Sequence, residues 1–158
     1  MVSSSRVFRA VVLALRVALG AVFVYAAWTK LRQPWELFAM SIDAYKVLPY
    51  GAVLVVARTL PWAELAIGLA LMAGRWLRVS TAAASLLLLG FFVLMVRTYA
   101  KGMQIDCGCF GLGDPISPRT LLRDGSLLAG YLFLTWTAFR GRRCRIMIAA
   151  TDNSKGRG

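Results

Sequence analysis

The sequence predicts an all-α membrane protein in which four transmembrane helices form a bundle with both termini in the cytoplasm. Of the 158 residues, 59% are hydrophobic, and the mean hydropathy is +0.65, whereas soluble domains are about half apolar. Four apolar runs are separated by polar segments. The formal net charge is +12, and the basic residues gather at the ends of these runs, as expected where positive charge sets membrane orientation.

The first apolar run, Val7 to Trp28, is interrupted only by Arg9 and Arg16. At about 1.5 Å per residue it is long enough to cross a hydrocarbon core of about 30 Å. Its basic start resembles a signal peptide, but its apolar part exceeds the usual length of about 7 to 15 residues and contains Arg16. We therefore expect a retained transmembrane helix.

Three further apolar runs follow. The second, Gly51 to Gly74, contains charged residues, and the third, Val79 to Val96, contains none. The fourth, Ser126 to Phe139, is short and reaches spanning length only if residues 121–124 join it. The sequence thus predicts four spans, with three as the alternative.

Membrane orientation is predicted from the Lys and Arg residues beside the spans. The "GRWLR" connection between the second and third spans and the tail after Phe139 are the most telling basic segments, and we expect both in the cytoplasm. The loop between the third and fourth spans then lies outside the cytoplasm. One domain is expected over residues 7–139 in the cytoplasmic membrane, followed by a basic, disordered tail over residues 140–158.

The segment after the first span, "TKLRQPWELFAMSIDAYKVLPY", alternates charged residues with aromatic and aliphatic ones. This alternation predicts a short amphipathic helix at the membrane interface. Its aromatic side chains would lie at headgroup depth.

Histidine is absent from the chain, which removes the commonest metal ligand and the usual general base. Haem, zinc-triad and Ser-His-Asp sites are therefore not expected. Nucleic acid is not an expected partner either, because the basic residues flank apolar runs instead of covering a polar domain. The lipid bilayer is the partner that the composition predicts.

Two cysteines lie one glycine apart in the polar segment "DCGCFGLGDP", residues 106–115. Two residues of extended chain span roughly 6.6–7 Å, whereas the Cα atoms of a disulfide are usually about 4.4–6.8 Å apart. Cys107 and Cys109 can therefore pair only if the backbone folds back, which Gly108 permits. So small a ring would be strained and would constrain the unfolded chain very little. This favours a labile, redox-active pair over a structural disulfide.

Two other interpretations of the cysteine pair stay open. A Cys-x-Cys pair can bind Cu(I), although no metal site is predicted, because the outer face offers only carboxylates to complete it. The pair could also be packed and unreactive. Nearby charge acts in both directions, since Arg97 favours the reactive thiolate and Asp106 disfavours it.

Ionisable residues inside membrane spans are rare and are usually functional or paired. Counted from the same membrane face, Arg16 and Glu64 lie at similar depths of about 13 and 15 Å, which predicts an ion pair between them. Such a pair would either fix helix packing or take part in proton or quinone handling. Arg58 and Asp124 are predicted to pair beneath the cysteine loop.

Lys30 and Arg97 lie at the outer ends of the first and third spans. They are expected either to be anchors that extend toward the interface or to surround the space under the cysteines with positive charge. The cofactor that the sequence leaves open is a membrane quinone, which could stack on Trp62 or Tyr131, although aromatic residues in spans more often serve packing.

Three motifs resemble those of a known group of proteins. They are "YAAWTKLRQP" at the end of the first span, "PWAELAIGLAL" in the second and "DCGCFG" before the fourth. The chain resembles the DoxX/MauE group of small membrane proteins and is most similar to the MauE branch, over roughly Arg16 to Phe139. The resemblance implies a four-helix bundle in the cytoplasmic membrane that works with an extracytoplasmic thioredoxin-like protein, in the family during maturation of methylamine dehydrogenase and thus in methylamine metabolism.

These observations predict a redox-associated membrane protein in which Cys107 and Cys109 assist thiol–disulfide exchange. An accessory role in such an oxidoreductase system fits a single outer pair better than an autonomous redox pump does. One alternative is a non-catalytic scaffold for a soluble partner. Another is a small transporter whose polar site is formed by Glu64 and Arg16.

Overall fold

The computed structural model describes residues 2–103, 105 and 115–155, with side chains described for 6–103, 105 and 115–140. The elements in this part of the chain are five α-helices, which confirms the all-α class. In chain order they are α1 (Val2–Leu31), α2 (Trp35–Ala44), α3 (Tyr50–Ala73), α4 (Leu77–Ala100) and α5 (Pro118–Lys155).

Three of these helices are long and apolar enough to cross a membrane, namely Arg6–Leu31 in α1, Tyr50–Ala73 and Leu77–Ala100. They confirm the first three predicted spans. The fourth predicted span lies in α5, where the apolar run Ser126 to Phe139 covers only about 21 Å between charged residues. The fourth span, the cytoplasmic termini and the division at residue 140 stay predictions.

Antiparallel pairing of α1 with α3 and of α4 with α5 forms most of the bundle, and a tight turn joins α3 to α4. The turn is closed by Gly74 in the left-handed region at φ 72°, where its N–H donates to the carbonyl of Leu71 over 3.2 Å and the Arg75 N–H donates to that of Ala70 over 3.1 Å. Glycine is favoured there because its missing Cβ removes the penalty for this conformation.

We call this end of the bundle the turn end. The opposite end, which we call the loop end, is formed by Leu31, Tyr50, Ala100 and Pro118.

The register of α1 against α3 is set by two glycines. A Cβ on Gly68 would lie 2.8 Å from the carbonyl oxygen of Gly20, and one on Gly20 would lie 3.0 Å from that of Gly68. Small residues allow helix backbones to approach this closely in membranes. The contact therefore fixes which turns of the two helices lie level with each other.

Gly68→Ala is expected to lower the free energy of unfolding by about 1–3 kcal/mol, because the added methyl group meets backbone that can only move by separating the helices. Gly90→Ala is the matched control, since a Cβ there has nothing within 4 Å and alanine favours the helix. Denaturant titration of both variants in the same detergent measures the difference. Equal stabilities would contradict the assignment of this contact.

The predicted amphipathic helix is confirmed as α2, the segment between α1 and α3. Phe38, Ala39 and Ile42 are buried against Val53 and Ala57 of α3, whereas the opposite face is exposed, with Met40 at 68%. The apolar face of α2 thus covers the loop end of α3.

The loop that carries the cysteines is closed at its base by the backbone. The Ile116 N–H donates to the carbonyl of Ile105 over 3.1 Å. The buried side chain of Ile116 packs against Met95, and the side chains of Ile105 and Tyr45 pack against these two. The chain therefore leaves the bundle and returns to it at one point of the loop end. Cys107, Cys109, Asp106 and Gly108 lie outside the described residues.

Candidate functional site

A buried ion pair joins the last turn of α1 to the middle of α3. The Lys30 Nζ donates to both carboxylate oxygens of Glu64, over 2.9 Å to Oε1 and 2.8 Å to Oε2, and the side chains are only 2% and 6% exposed. Lys30 lies in the last turn of α1, and because Cα–Cβ bonds tilt toward a helix N-terminus, its chain extends inward. The predicted outward anchoring of Lys30 is therefore wrong.

The aromatic ring of Phe38 covers this ion pair from α2, with Lys30 Nζ 5.4 Å from the ring centroid. An aromatic face attracts a cation, more strongly where water is excluded. Sequence reasoning did not assign Phe38 to the site. The feature of the sequence that could have identified Phe38 is its position in the amphipathic segment. This segment directly follows the first span and could therefore be expected to pack over its end.

The predicted ion pair between Arg16 and Glu64 is wrong. The Gly20–Gly68 contact places Glu64 about one turn toward the loop end and Arg16 about one turn toward the turn end, so the two are separated by roughly 12 Å along the bundle. The Arg16 guanidinium instead lies against Gly74, where a Cβ would be 2.9 Å from its Nη1. Counting depth from helix ends failed because α1 and α3 are offset along the bundle.

The predicted pair between Arg58 and Asp124 is also wrong. Asp124 is 1% exposed, and its Oδ1 accepts a hydrogen bond from Arg123 Nε over 2.9 Å, while Arg58 stacks on the Trp35 ring at 4.4 Å. Among the described residues α5 packs on α4 and α1, not on α3, which keeps the two side chains apart. Asp124 Oδ2 is buried without a hydrogen-bond partner in the described part of the chain.

Glu64 and Asp124 nevertheless line one small cavity of about 30 Å³. The other walls are mostly apolar and include Phe23 and Tyr131. A volume of this size admits a water molecule, and the unpartnered Asp124 Oδ2 gives such a water an acceptor. Sequence reasoning identified both carboxylates but assigned each to the wrong cation, so it missed their shared cavity.

Tyr131 and Trp62, the two aromatic residues considered for a quinone, have different surroundings. Tyr131 is fully buried, packs edge-on against Phe23 at 5.1 Å and donates its hydroxyl to the Leu19 carbonyl over 2.6 Å. Trp62 is 62% exposed and lines a cleft of about 460 Å³ at the loop end, together with Trp35 and Arg58. Of the two rings, only that of Trp62 is accessible.

Arg97 lies in the last turn of α4 and is exposed at the loop end. The structure thus places Lys30 and Arg97 in the last turns of α1 and α4, toward the end from which the cysteine loop emerges, whereas Glu64 lies near the middle of α3. Arg16 is at the opposite end. No group of three or more metal-ligating side chains occurs among the described residues.

Three apolar helices of spanning length, two of them joined by a buried ion pair, are typical of a multi-pass helical membrane protein. The family model for methylamine utilisation protein MauE matches residues 8–137, and the chain belongs to this family. The resemblance to MauE is confirmed, whereas the wider DoxX grouping stays a prediction.

Two curated relatives share the family. The methylamine utilization protein MauE of Paracoccus denitrificans is 39% identical over 119 residues, covering 73% of this chain and 63% of that protein. The methylamine utilization protein MauE of Methylophilus methylotrophus is 39% identical over 90 residues, covering 56% of this chain and 46% of that protein. The chain thus matches less than two thirds of the length of each relative. No solved structure gives a significant match.

Proposed function

We propose that this protein acts in methylamine utilisation as a membrane-bound thiol–disulfide exchange partner of an extracytoplasmic thioredoxin-like protein, with Cys107 and Cys109 as the exchanging thiols. Membership of the MauE family supports the pathway. The observation that supports an exchange site in this loop is the closure of the loop at its base, where Ile105 and Ile116 are joined by a 3.1 Å hydrogen bond. Chain connectivity keeps the Cα of Cys107 within about 7 Å of that of Ile105.

The exchange reaction requires only the two thiols of this protein and the disulfide of the partner. One thiolate of the reduced pair attacks the partner's disulfide, which forms a mixed disulfide and releases one partner thiolate. The second cysteine then attacks the mixed disulfide, so that the pair is oxidised by two electrons and the partner is reduced to a dithiol. The reverse sequence oxidises the partner, and the two reduction potentials set the direction.

The buried ion pair serves as a positioning element in this proposal. Lys30 and Glu64 join the last turn of α1 to α3, and Phe38 covers them. A hydrogen-bonded ion pair that is excluded from water holds its two helices in one arrangement, because any displacement leaves a charge unpaired. The last turn of α1 and the middle of α3 are thereby kept in register.

Net oxidation of many partner molecules requires an electron acceptor, for which a membrane quinone is the proposed cofactor. The cleft at the loop end suits a flat ring with polar oxygens, since it is lined by Trp35 and Trp62 and by the donors Gln33 and Arg58. A bound quinone would accept the two electrons that each exchange cycle removes from the partner. The proposal further includes α5 as a fourth span, cytoplasmic termini and an extracytoplasmic cysteine loop.

The experiment that tests the proposal measures the redox state and the side of the two cysteines in intact cells. A membrane-impermeant thiol-alkylating mass tag is applied to the Cys144→Ser variant before and after mild reduction. We expect Cys107 and Cys109 to be taggable only after reduction, because they would be oxidised and outside. A pair that is tagged without reductant would contradict a role as the oxidant of the partner, and tagging only in broken membranes would contradict the orientation.

The scaffold alternative predicts a different result in a second experiment. With Cys109→Ser, the remaining Cys107 should accumulate a mixed disulfide with its partner, visible as a reductant-sensitive band on a non-reducing gel. The double serine variant is the matched control and should give no such band. Absence of a mixed disulfide from Cys109→Ser and from the reciprocal variant Cys107→Ser would favour the scaffold.

A further inference from the structure

At the turn end, an elongated groove separates the first part of α1 from α4 and α5. Its volume is about 390 Å³, and its walls are mainly apolar, including Phe8, Leu13 and Leu134. Two arginines of α1, Arg9 and Arg16, line the same groove. They are seven positions apart and thus lie on one face of the helix, roughly 10 Å apart along its axis.

Arg16 has no counterion within the described part of the chain. Its Nε is buried without a hydrogen-bond partner there, and no carboxylate among the described side chains lies within ion-pair distance. The described acidic residues, Glu36, Asp43, Glu64 and Asp124, belong to other regions of the bundle. A partly buried guanidinium without an anion is unfavourable, so the missing charge must come from outside these residues.

The other arginines beside the groove have partners of their own. Arg78 donates from Nε to the Ala138 carbonyl over 3.2 Å, and the Arg140 guanidinium stacks on Trp136 at 4.2 Å. Among the described side chains that line the groove, Arg9 and Arg16 are thus the cations available to a ligand.

Arg16 is also at the depth where lipid headgroups are expected. Its guanidinium contacts the Gly74 turn, which ends two of the three apolar helices, and Trp76 in the same turn is 81% exposed, as is typical of an aromatic residue at the membrane interface. A ligand that meets Arg16 here would have its polar part at the surface and its apolar part along Leu77 and Leu134, which line the groove from α4 and α5.

We propose that this groove binds the phosphate of one anionic phospholipid between Arg9 and Arg16, with an acyl chain along the apolar wall. Guanidinium groups bind phosphate oxygens through paired, charge-assisted hydrogen bonds, and basic pockets between membrane helices are suited to anionic headgroups. The lipid would tie α1 to α4 and α5 at the end of the bundle opposite to the Lys30–Glu64 pair. The site is independent of the cysteines.

The test uses the full chain in nanodiscs that contain equal amounts of phosphatidylglycerol and phosphatidylcholine. The protein is released from the discs, and retained lipid is identified by native mass spectrometry. We expect one phosphatidylglycerol per chain to be retained preferentially. Arg16→Gln should reduce this retention about tenfold, the loss expected when one charge-assisted contact is removed, and exposed Arg9→Gln should reduce it without disturbing the fold.

The matched control is Arg75→Gln, which removes an exposed arginine of the same end and should leave retention unchanged. Equal retention of the two lipids by the unaltered chain, or an equal loss in Arg75→Gln, would overturn the proposal. Inorganic phosphate is added to the detergent-solubilised protein as a further arm. If it raises the melting temperature as much as phosphatidylglycerol does, the occupant is a soluble phosphate and the lipid assignment fails.

Discussion

Lys30→Met is expected to lower the free energy of unfolding by about 3–5 kcal/mol, the range observed when one partner of a buried ion pair is removed. Methionine keeps the apolar stem but leaves the Glu64 carboxylate, at 5% exposure, without its cation. The measurement is reversible unfolding in mixed micelles, followed by circular dichroism.

A control and a double variant make this prediction specific. Lys46→Met removes a lysine whose side chain is 71% exposed and pairs with Asp43, so it should change stability by no more than about 1 kcal/mol. Lys30→Met combined with Glu64→Leu should recover much of the loss, because no unpaired charge remains. If Lys30→Met proved as mild as Lys46→Met, the ion pair would not hold the two helices together.

Replacing Cys107 and Cys109 together by serine should abolish growth on methylamine in a host that lacks its own copy of the gene. Serine has nearly the same volume as cysteine but cannot form a disulfide, so the variant removes the chemistry and leaves the loop similar in shape. Protein level in the membrane is measured in parallel, and growth on another carbon source serves as the reference.

The matched control for this loss of growth is Cys144→Ser, which removes the third cysteine of the chain but leaves the proposed exchange pair intact. It should support growth like the unaltered protein. Full growth of the double serine variant at normal protein level would exclude exchange chemistry and would support the scaffold function.

The helices were the part of the fold most accessible to sequence reasoning. Apolar runs of spanning length predicted α1, α3 and α4, and the mixture of charged and aromatic residues predicted α2. These are local properties, since each depends on the composition of one segment. The apolar part of α5 is shorter than a full span because charged residues such as Arg123 and Asp124 lie close to it.

The pairing of charges depends on how the helices are offset along the bundle. This offset could not be predicted from the sequences of the separate helices. Glu64 was identified as a residue that needs a partner, but Lys30, at the end of its span, was assigned either to anchoring at the interface or to a positive ring beneath the cysteines. Two facts made Lys30 the partner: the Gly20–Gly68 contact sets the register, and a lysine side chain in a helix extends toward the N-terminus. Neither follows from counting residues along a single helix.

The hydrogen bond between Ile105 and Ile116 has a consequence for how such proteins diversify. A segment whose two ends meet at one point can change in length and composition without displacing the helices, because closing a somewhat longer loop costs little free energy. Under the proposed exchange function, replacing the residues between these two isoleucines would change which soluble protein is recognised. The cysteine loop is in this sense an exchangeable module on helices that need not change with it.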